Sequence, residues 1–223
     1  MNAEDFSSIE RLFIENQNLK KAEKMADYMK GHFQFLGISA PERKELLREV
    51  FQGFNWNRKE LLEFAQHSWG SQYRELQYAG LDYLMKYRKK LIIEDIKFLE
   101  ILVKTNSWWD TVDGLAVHPI GHLLIKDKTT KKKFITKWSD STNMWLRRTA
   151  IIAQLKYKEE VDRELMEMAI LKANGTKEFF LNKAIGWMLR EFSKTDPEYV
   201  QVFCEQNELS NLSEREALRL VKK

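Results

Sequence analysis

The chain has little of what punctuates many folds. Its 223 residues include only nine glycines and three prolines, too few for the many tight turns of an all-β architecture. Its one cysteine, Cys204, excludes an internal disulfide and a Cys-rich structural zinc site, and suits a reducing cytoplasm. No apolar run approaches the roughly 18 residues of a membrane span. The opening MNAEDFSS lacks the basic and apolar regions of a signal peptide. A glycine-rich phosphate loop and sustained strand alternation are missing as well. What remains is helix-forming: Leu, Lys and Glu dominate, and 43% of residues are hydrophobic, enough for a substantial core. The net charge of +4 is mildly basic, so its arrangement matters more than its total.

Helical periodicity predicts helices near 4–16, 19–34, 41–53, 57–68, 71–88, 92–105, 108–116, 120–126, 130–138, 143–157, 160–173, 178–193, 197–206 and 213–222. Start signals support several of these. Ser39 with Glu42 makes a capping box with Pro41 in the first turn, Asp196 precedes Pro197, and Ser213 with Glu216 repeats the box. Links are short and no low-complexity segment divides the chain, so residues 1–223 read as a single domain. The expected architecture is all-α: an α-solenoid of stacked antiparallel HEAT-like helix pairs.

The stretch SWWDTVD, 107–113, stands out. Ser107 reads as an N-cap, with Asp110 completing a capping box. At about 100° per residue, Trp108, Val112 and Leu115 share an apolar face directed at the core. Trp109 and Asp113, four residues apart, share another face and form an aromatic–carboxylate pair that the core does not need. A half-exposed tryptophan beside a dipole-favoured aspartate would give the same pattern without any chemistry.

Three more helices carry a second face. In 181–194, Leu181, Ala184, Ile185, Met188 and Phe192 make the apolar stripe. Outside it lie Trp187, Lys183, Arg190 and Lys194, aromatic and basic without acid, the pattern of a surface that meets a phosphate backbone. In 20–33, Tyr28 lies outside the stripe Ala22, Met25, Ala26, Met29 and Phe33, near Lys21 and Lys24. The 143–157 helix has apolar stripes on both sides, Met144–Ile151–Leu155 and Leu146–Ala150–Ala153–Tyr157, and places Arg148 inside the first. A guanidinium there needs a partner. A structural acid, Asp113, or a phosphate would each serve.

Other signals are weaker. The run KDKTTKKK, 126–133, reads as a loop with five lysines, either solvated or a phosphate clamp. His118 and His122 are four apart but straddle Pro119 with no third ligand, so no metal site is expected. Cys204 has no companion for nucleophilic chemistry.

SWWDTVD, MWLRRTAIIAQLKYK (144–158), KEFFLNKAIGWMLRE (177–191) and KAEKMADYMK with FLGISAPER (21–43) resemble the AlkD family of DNA-alkylation-repair glycosylases, in order along essentially the whole chain. The resemblance implies stacked HEAT-like repeats whose concave, positively charged face holds duplex DNA. It implies excision of purines alkylated at ring nitrogen 3 or 7, by hydrolysis of the N-glycosidic bond, on a lesion left in the stack. The family's key positions match Trp109, Asp113 and Trp187 as catalytic residues. Tyr28, Arg148, Lys156, Lys183, Arg190 and Lys194 are the DNA-binding expectation. Duplex DNA is the expected partner, with no cofactor, metal or membrane, and the chain a monomer acting on the bacterial nucleoid. Two alternatives stand: a non-catalytic DNA-binding paralogue preferring distorted or branched DNA, and a helical-repeat adaptor for another protein.

Overall fold

Sparse glycine and proline leave the chain free to run as helix after helix, and the computed structural model, which describes residues 3–221, is all-helical. Its only β-type pairing among the described residues is an isolated bridge between Gln34 and Tyr73. Contacts divide the chain into two compact units, Met1–Lys90 and Leu91–Lys223.

The first unit holds α1 (Ala3–Glu15), α2 (Leu19–Tyr28), α3 (Ala40–Val50), α4 (Arg58–Gly70), α5 (Arg74–Lys86) and a 3₁₀ turn at Arg88–Lys90. The three-residue link between α4 and α5 turns the chain back, and the two helices pack side by side as a hairpin. Trp56, nearly inaccessible, nests among Phe51, Phe54, Phe64 and Tyr83 at centroid distances of 4.8–5.4 Å.

The helix predicted for 19–34 ends early, at Tyr28. Lys30 and Gly31 take left-handed backbone angles, and the Gly31 amide returns to the Ala26 carbonyl at 2.9 Å, closing the helix. The segment beyond is anchored by Glu75, whose buried carboxylate accepts the amides of Leu36, Gly37 and Ile38 at 2.8–3.2 Å. Gly37 is obligatory here: φ is +81°, and a Cβ would sit 2.0 Å from the Asn18 carbonyl oxygen. The Ser39–Glu42 box is present, with the Ser39 amide donating to Glu42 at 2.8 Å.

The second unit opens with a 3₁₀ turn, Ile93–Asp95, and α6 (Ile96–Lys104). Next comes α7 (Trp109–Leu115), which runs through a π-helical turn (Ala116–Ile120) into α8 (Gly121–Leu124). The two helices predicted either side of Pro119 are thus one rod. The wider i→i+5 turn absorbs the proline's missing N–H, which a regular α-turn would not tolerate. Then follow α9 (Lys128–Ser139), α10 (Met144–Ile152), a 3₁₀ turn (Lys158–Glu160) and α11 (Arg163–Ala173). The last elements are α12 (Phe179–Phe192), α13 (Pro197–Gln206), α14 (Asn211–Ala217) and a 3₁₀ turn (Leu218–Leu220). Packing partners run α9 with α10 and α11, α10 with α12, and α12 with α14. The final predicted helix, 213–222, reaches past the described residues; within them Ser210 is the N-cap, accepting from the Ser213 amide at 3.2 Å. Ser213 instead donates to the Asn182 carbonyl. The Asp196–Pro197 start is as expected, Asp196 accepting the Tyr199 amide at 3.0 Å.

The lysine run is not a loop. Asp127 caps α9, so four of its five lysines lie on that helix. Lys131 is buried, 3.4 Å from Asp162 and over the Tyr157 ring.

Candidate nucleic-acid interface and carboxylate site

The α7 rod is built from its first turn. Ser107 does not cap it: its hydroxyl turns back to the Val103 carbonyl at 2.6 Å, and Trp108 takes the N-cap with extended backbone. Trp108 is consequently off the helical face predicted for it. It is half-buried against Trp145 and Phe180, with centroids 5.6 and 5.0 Å away, while Val112 and Leu115 alone enter the core. Trp109 begins the helix, and Asp113 follows one turn later on the same side.

Asp113 meets Arg148 of α10 in a two-point pair. Arg148 Nε donates to one carboxylate oxygen at 2.7 Å and Nη2 to the other at 2.7 Å. Nη1 donates to the backbone carbonyl of Phe180 on α12. One guanidinium therefore ties α7, α10 and α12 together. The Asp113 side chain keeps 16% exposure against 6% for Arg148, so the acid is the more exposed member of a largely buried pair. Burial pushes the Asp113 carboxyl above its ordinary range, the Arg148 hydrogen bonds and charge pull it back, and the Asp110 charge adds to the rise.

Arg148, expected among the DNA contacts, is buried, and three of its nitrogens are engaged by Asp113 and Phe180. Its partner is Asp113, one of the three that the sequence left open.

Trp187 lies on α12, seven residues beyond Phe180 and thus about two turns along the same side. It is half-buried. The basic face around it is not free of acid. Glu216 of α14 accepts Lys183 at 3.1 Å and also pairs with Arg190, and Glu191 pairs with Lys194 at 2.6 Å. The reason is Gly186, between the two cations on the helix surface. A Cβ there would lie 2.6 Å from Glu216 Cβ and 2.8 Å from the Ser213 carbonyl oxygen, so α14 seats directly on this ridge. Lys156 is exposed just after α10.

Tyr28, 71% exposed, ends α2 in the first unit. Its neighbour Lys21 pairs with Glu42 at 2.7 Å. In the same unit a cavity of about 820 Å³ between α3 and α5 is lined by none of the predicted residues. Among the described residues no cluster of three or more His, Cys, Asp or Glu is placed to hold a metal. No helix among them is long and apolar enough to cross a membrane. Cys204 is buried, its thiol pushed up to about 11 by burial and the nearby Glu214 and Glu205 charges.

The profile of the family described as DNA alkylation repair enzyme matches residues 9–221. The chain belongs to that family. A solved structure described as a predicted DNA alkylation repair enzyme from Enterococcus faecalis is similar in fold, with a TM-score of 0.86 and 32% sequence identity over 93% of this chain and 97% of that one. A search of curated proteins returned no match. For a member of a DNA alkylation repair family, a carboxylate half-shielded by an internal guanidinium, with tryptophans on both carrying helices, is the feature that asks for a chemical role.

Sequence reasoning missed Trp145, Phe180's carbonyl and Glu216. Trp145 is three residues before Arg148, so it shares that side of α10, a signal that was available. The carbonyl and Glu216 left no local trace.

Proposed function

We propose that this protein is a DNA glycosylase that excises purines alkylated at ring nitrogen 3 or 7 from duplex DNA, as a step of base excision repair. The observation that carries this reading is the Asp113–Arg148 pair: a largely buried carboxylate fixed in orientation, whose side chain keeps some exposure. A purine alkylated on a ring nitrogen is cationic and leaves without a protonating acid. The bond between the sugar C1′ and the base nitrogen breaks, its electron pair neutralises the base, and positive charge develops on the sugar. A fixed carboxylate stabilises that charge and orients the water that attacks C1′, taking a proton from it. One carboxylate is enough here, where most glycosidases employ two.

Both Asp113 oxygens accept from Arg148, but each carboxylate oxygen has a further lone pair, so water can bind without breaking the pair. The upward push on the Asp113 carboxyl makes it a better proton acceptor than an ordinary aspartate. Trp109 and Trp187 flank the sugar, their ring faces attracting its developing cation. Tyr28, Lys156 and the exposed lysines contact the phosphate backbone, and a lesion left in the stack explains why the reading needs backbone contacts rather than a base-reading pocket.

The same pair also favours a second reading, a non-catalytic DNA-binding paralogue in which Asp113 only neutralises Arg148. Release of free 7-methylguanine and 3-methyladenine from methylated duplex DNA separates the two. Wild type should release both, and Asp113→Asn should lose at least about a hundredfold in rate while still binding DNA. Wild-type DNA binding without release would establish the binder instead.

A further inference from the structure

The α12–α14 seam adds a feature that the proposed reaction does not use. Lys183 and Arg190 are seven residues apart on one side of α12, with Trp187 between them. Two cations beside an aromatic are what a phosphodiester backbone would meet. Instead, a carboxylate of the same chain already bridges them. Glu216 lies 3.1 Å from Lys183 Nζ and also pairs with Arg190, with side-chain exposures of 15% for Glu216, 37% for Lys183 and 22% for Arg190. The bridge is built in, because Gly186 lets α14 approach closely enough to deliver it, and Ser213 locks the same helix to the Asn182 carbonyl at 3.0 Å.

We propose that Glu216 is an internal counter-anion of the DNA-binding face, halving the charge that Lys183 and Arg190 present beside Trp187 and so limiting the protein's hold on undamaged DNA. The inference rests on the DNA-binding part of the reading above, not on the excision step. Two cations with one carboxylate present a net charge of about +1, and removing the carboxylate leaves about +2. A repair protein that must leave undamaged duplex gains from the lower value, since backbone attraction supplies nearly all non-specific affinity. The Lys183 hydrogen bond, the largest influence, and the nearby Arg190 and Arg219 charges hold the Glu216 carboxyl below its ordinary range, so it is charged at neutral pH.

The test uses full-length protein and an unmodified DNA duplex, with the dissociation constant measured across a salt series. Glu216→Gln should bind several-fold tighter at constant salt, and its log K against log salt slope should steepen by about 0.9, one added charge. Glu216→Asp keeps the charge and should keep the wild-type slope. Lys183→Gln in the Glu216→Gln background should return the slope to the wild-type value. A slope unchanged or shallower in Glu216→Gln, with the thermal melt confirming a folded protein, overturns the proposal. Should that variant not fold, Lys183→Gln alone reads the same charge from the other side: its slope should become shallower by about 0.9, and no change overturns the proposal. If wild type itself shows no salt-dependent binding, both the proposal and the DNA-binding reading fall. If it binds but never excises, only the glycosylase reading falls.

Discussion

Arg148 donates to both oxygens of Asp113 at 2.7 Å, and its third nitrogen is spent on the Phe180 carbonyl. The carboxylate is therefore held by a group that is itself held. Two opposed effects meet on Asp113: burial raises its pKa, and the guanidinium lowers it. If the ionised carboxylate is the working form, excision falls as pH drops through the Asp113 pKa, and that acid limb lies above the ordinary aspartate range. Arg148→Met removes the lowering influence, so its limb should move to higher pH. A single-turnover rate–pH profile checks this, and a limb that stays in place would separate Arg148 from the titration.

Arg148→Met should also cost stability. It leaves a largely buried carboxylate without its partner, worth about 3–5 kcal/mol when one member of a buried pair is lost. Protonation of Asp113 relieves part of that cost, so the deficit should be smaller at acid pH than at neutral pH. Denaturant unfolding at the two values measures the difference. Arg148→Lys should not restore the wild type, because an ammonium cannot span both oxygens and the Phe180 carbonyl with one planar fork.

The tryptophans should matter for the chemical step more than for binding. In the proposed reaction each would offer a ring face to the developing cation, an interaction of about 0.5–2 kcal/mol depending on desolvation. Trp109→Ala and Trp187→Ala should each lower single-turnover excision about tenfold or more, with a smaller change in DNA affinity. Phe at either position should recover part of the loss. Equal losses in rate and affinity would make them contact residues only.

How much of this was legible in the sequence depends on the distance over which each feature is decided. Caps are local: Ser39 with Glu42, and Asp196 before Pro197, act within one turn and stand where the spacing puts them. Helix ends set by the backbone were less readable. The apolar stripe from Ala22 to Phe33 continues past the point where Lys30 and Gly31 turn left-handed, so the pattern outlasts the helix. Pro119 suggested a break that the π-turn removes. The need for a partner at Arg148 was visible, because a guanidinium in an apolar stripe demands one. Its identity was not fixed locally, since Asp113 is 35 residues away. Glu216 shows the limit: 26 residues from Arg190, it looked like a cap for its own helix, and only the packing at Gly186 turned it toward α12.

That packing gives a prediction whose sign is informative. Replacing a glycine inside an exposed helix by alanine ordinarily gains about 0.5–1 kcal/mol, because the unfolded chain loses freedom and the helix keeps its bonds. Gly186 should behave oppositely. Its Cβ would meet the Ser213 carbonyl oxygen at 2.8 Å and Glu216 Cβ at 2.6 Å, and the first of these is backbone that cannot swing aside. α14 must therefore move off α12, straining the Glu216 bridge and the Ser213 bond to Asn182 together. Overpacking of this kind costs about 1–3 kcal/mol, so Gly186→Ala should unfold at lower denaturant than wild type. A stabilised variant would mean that α14 is not seated on α12 at this ridge, and that the two cations beside Trp187 are free to meet DNA without first losing Glu216.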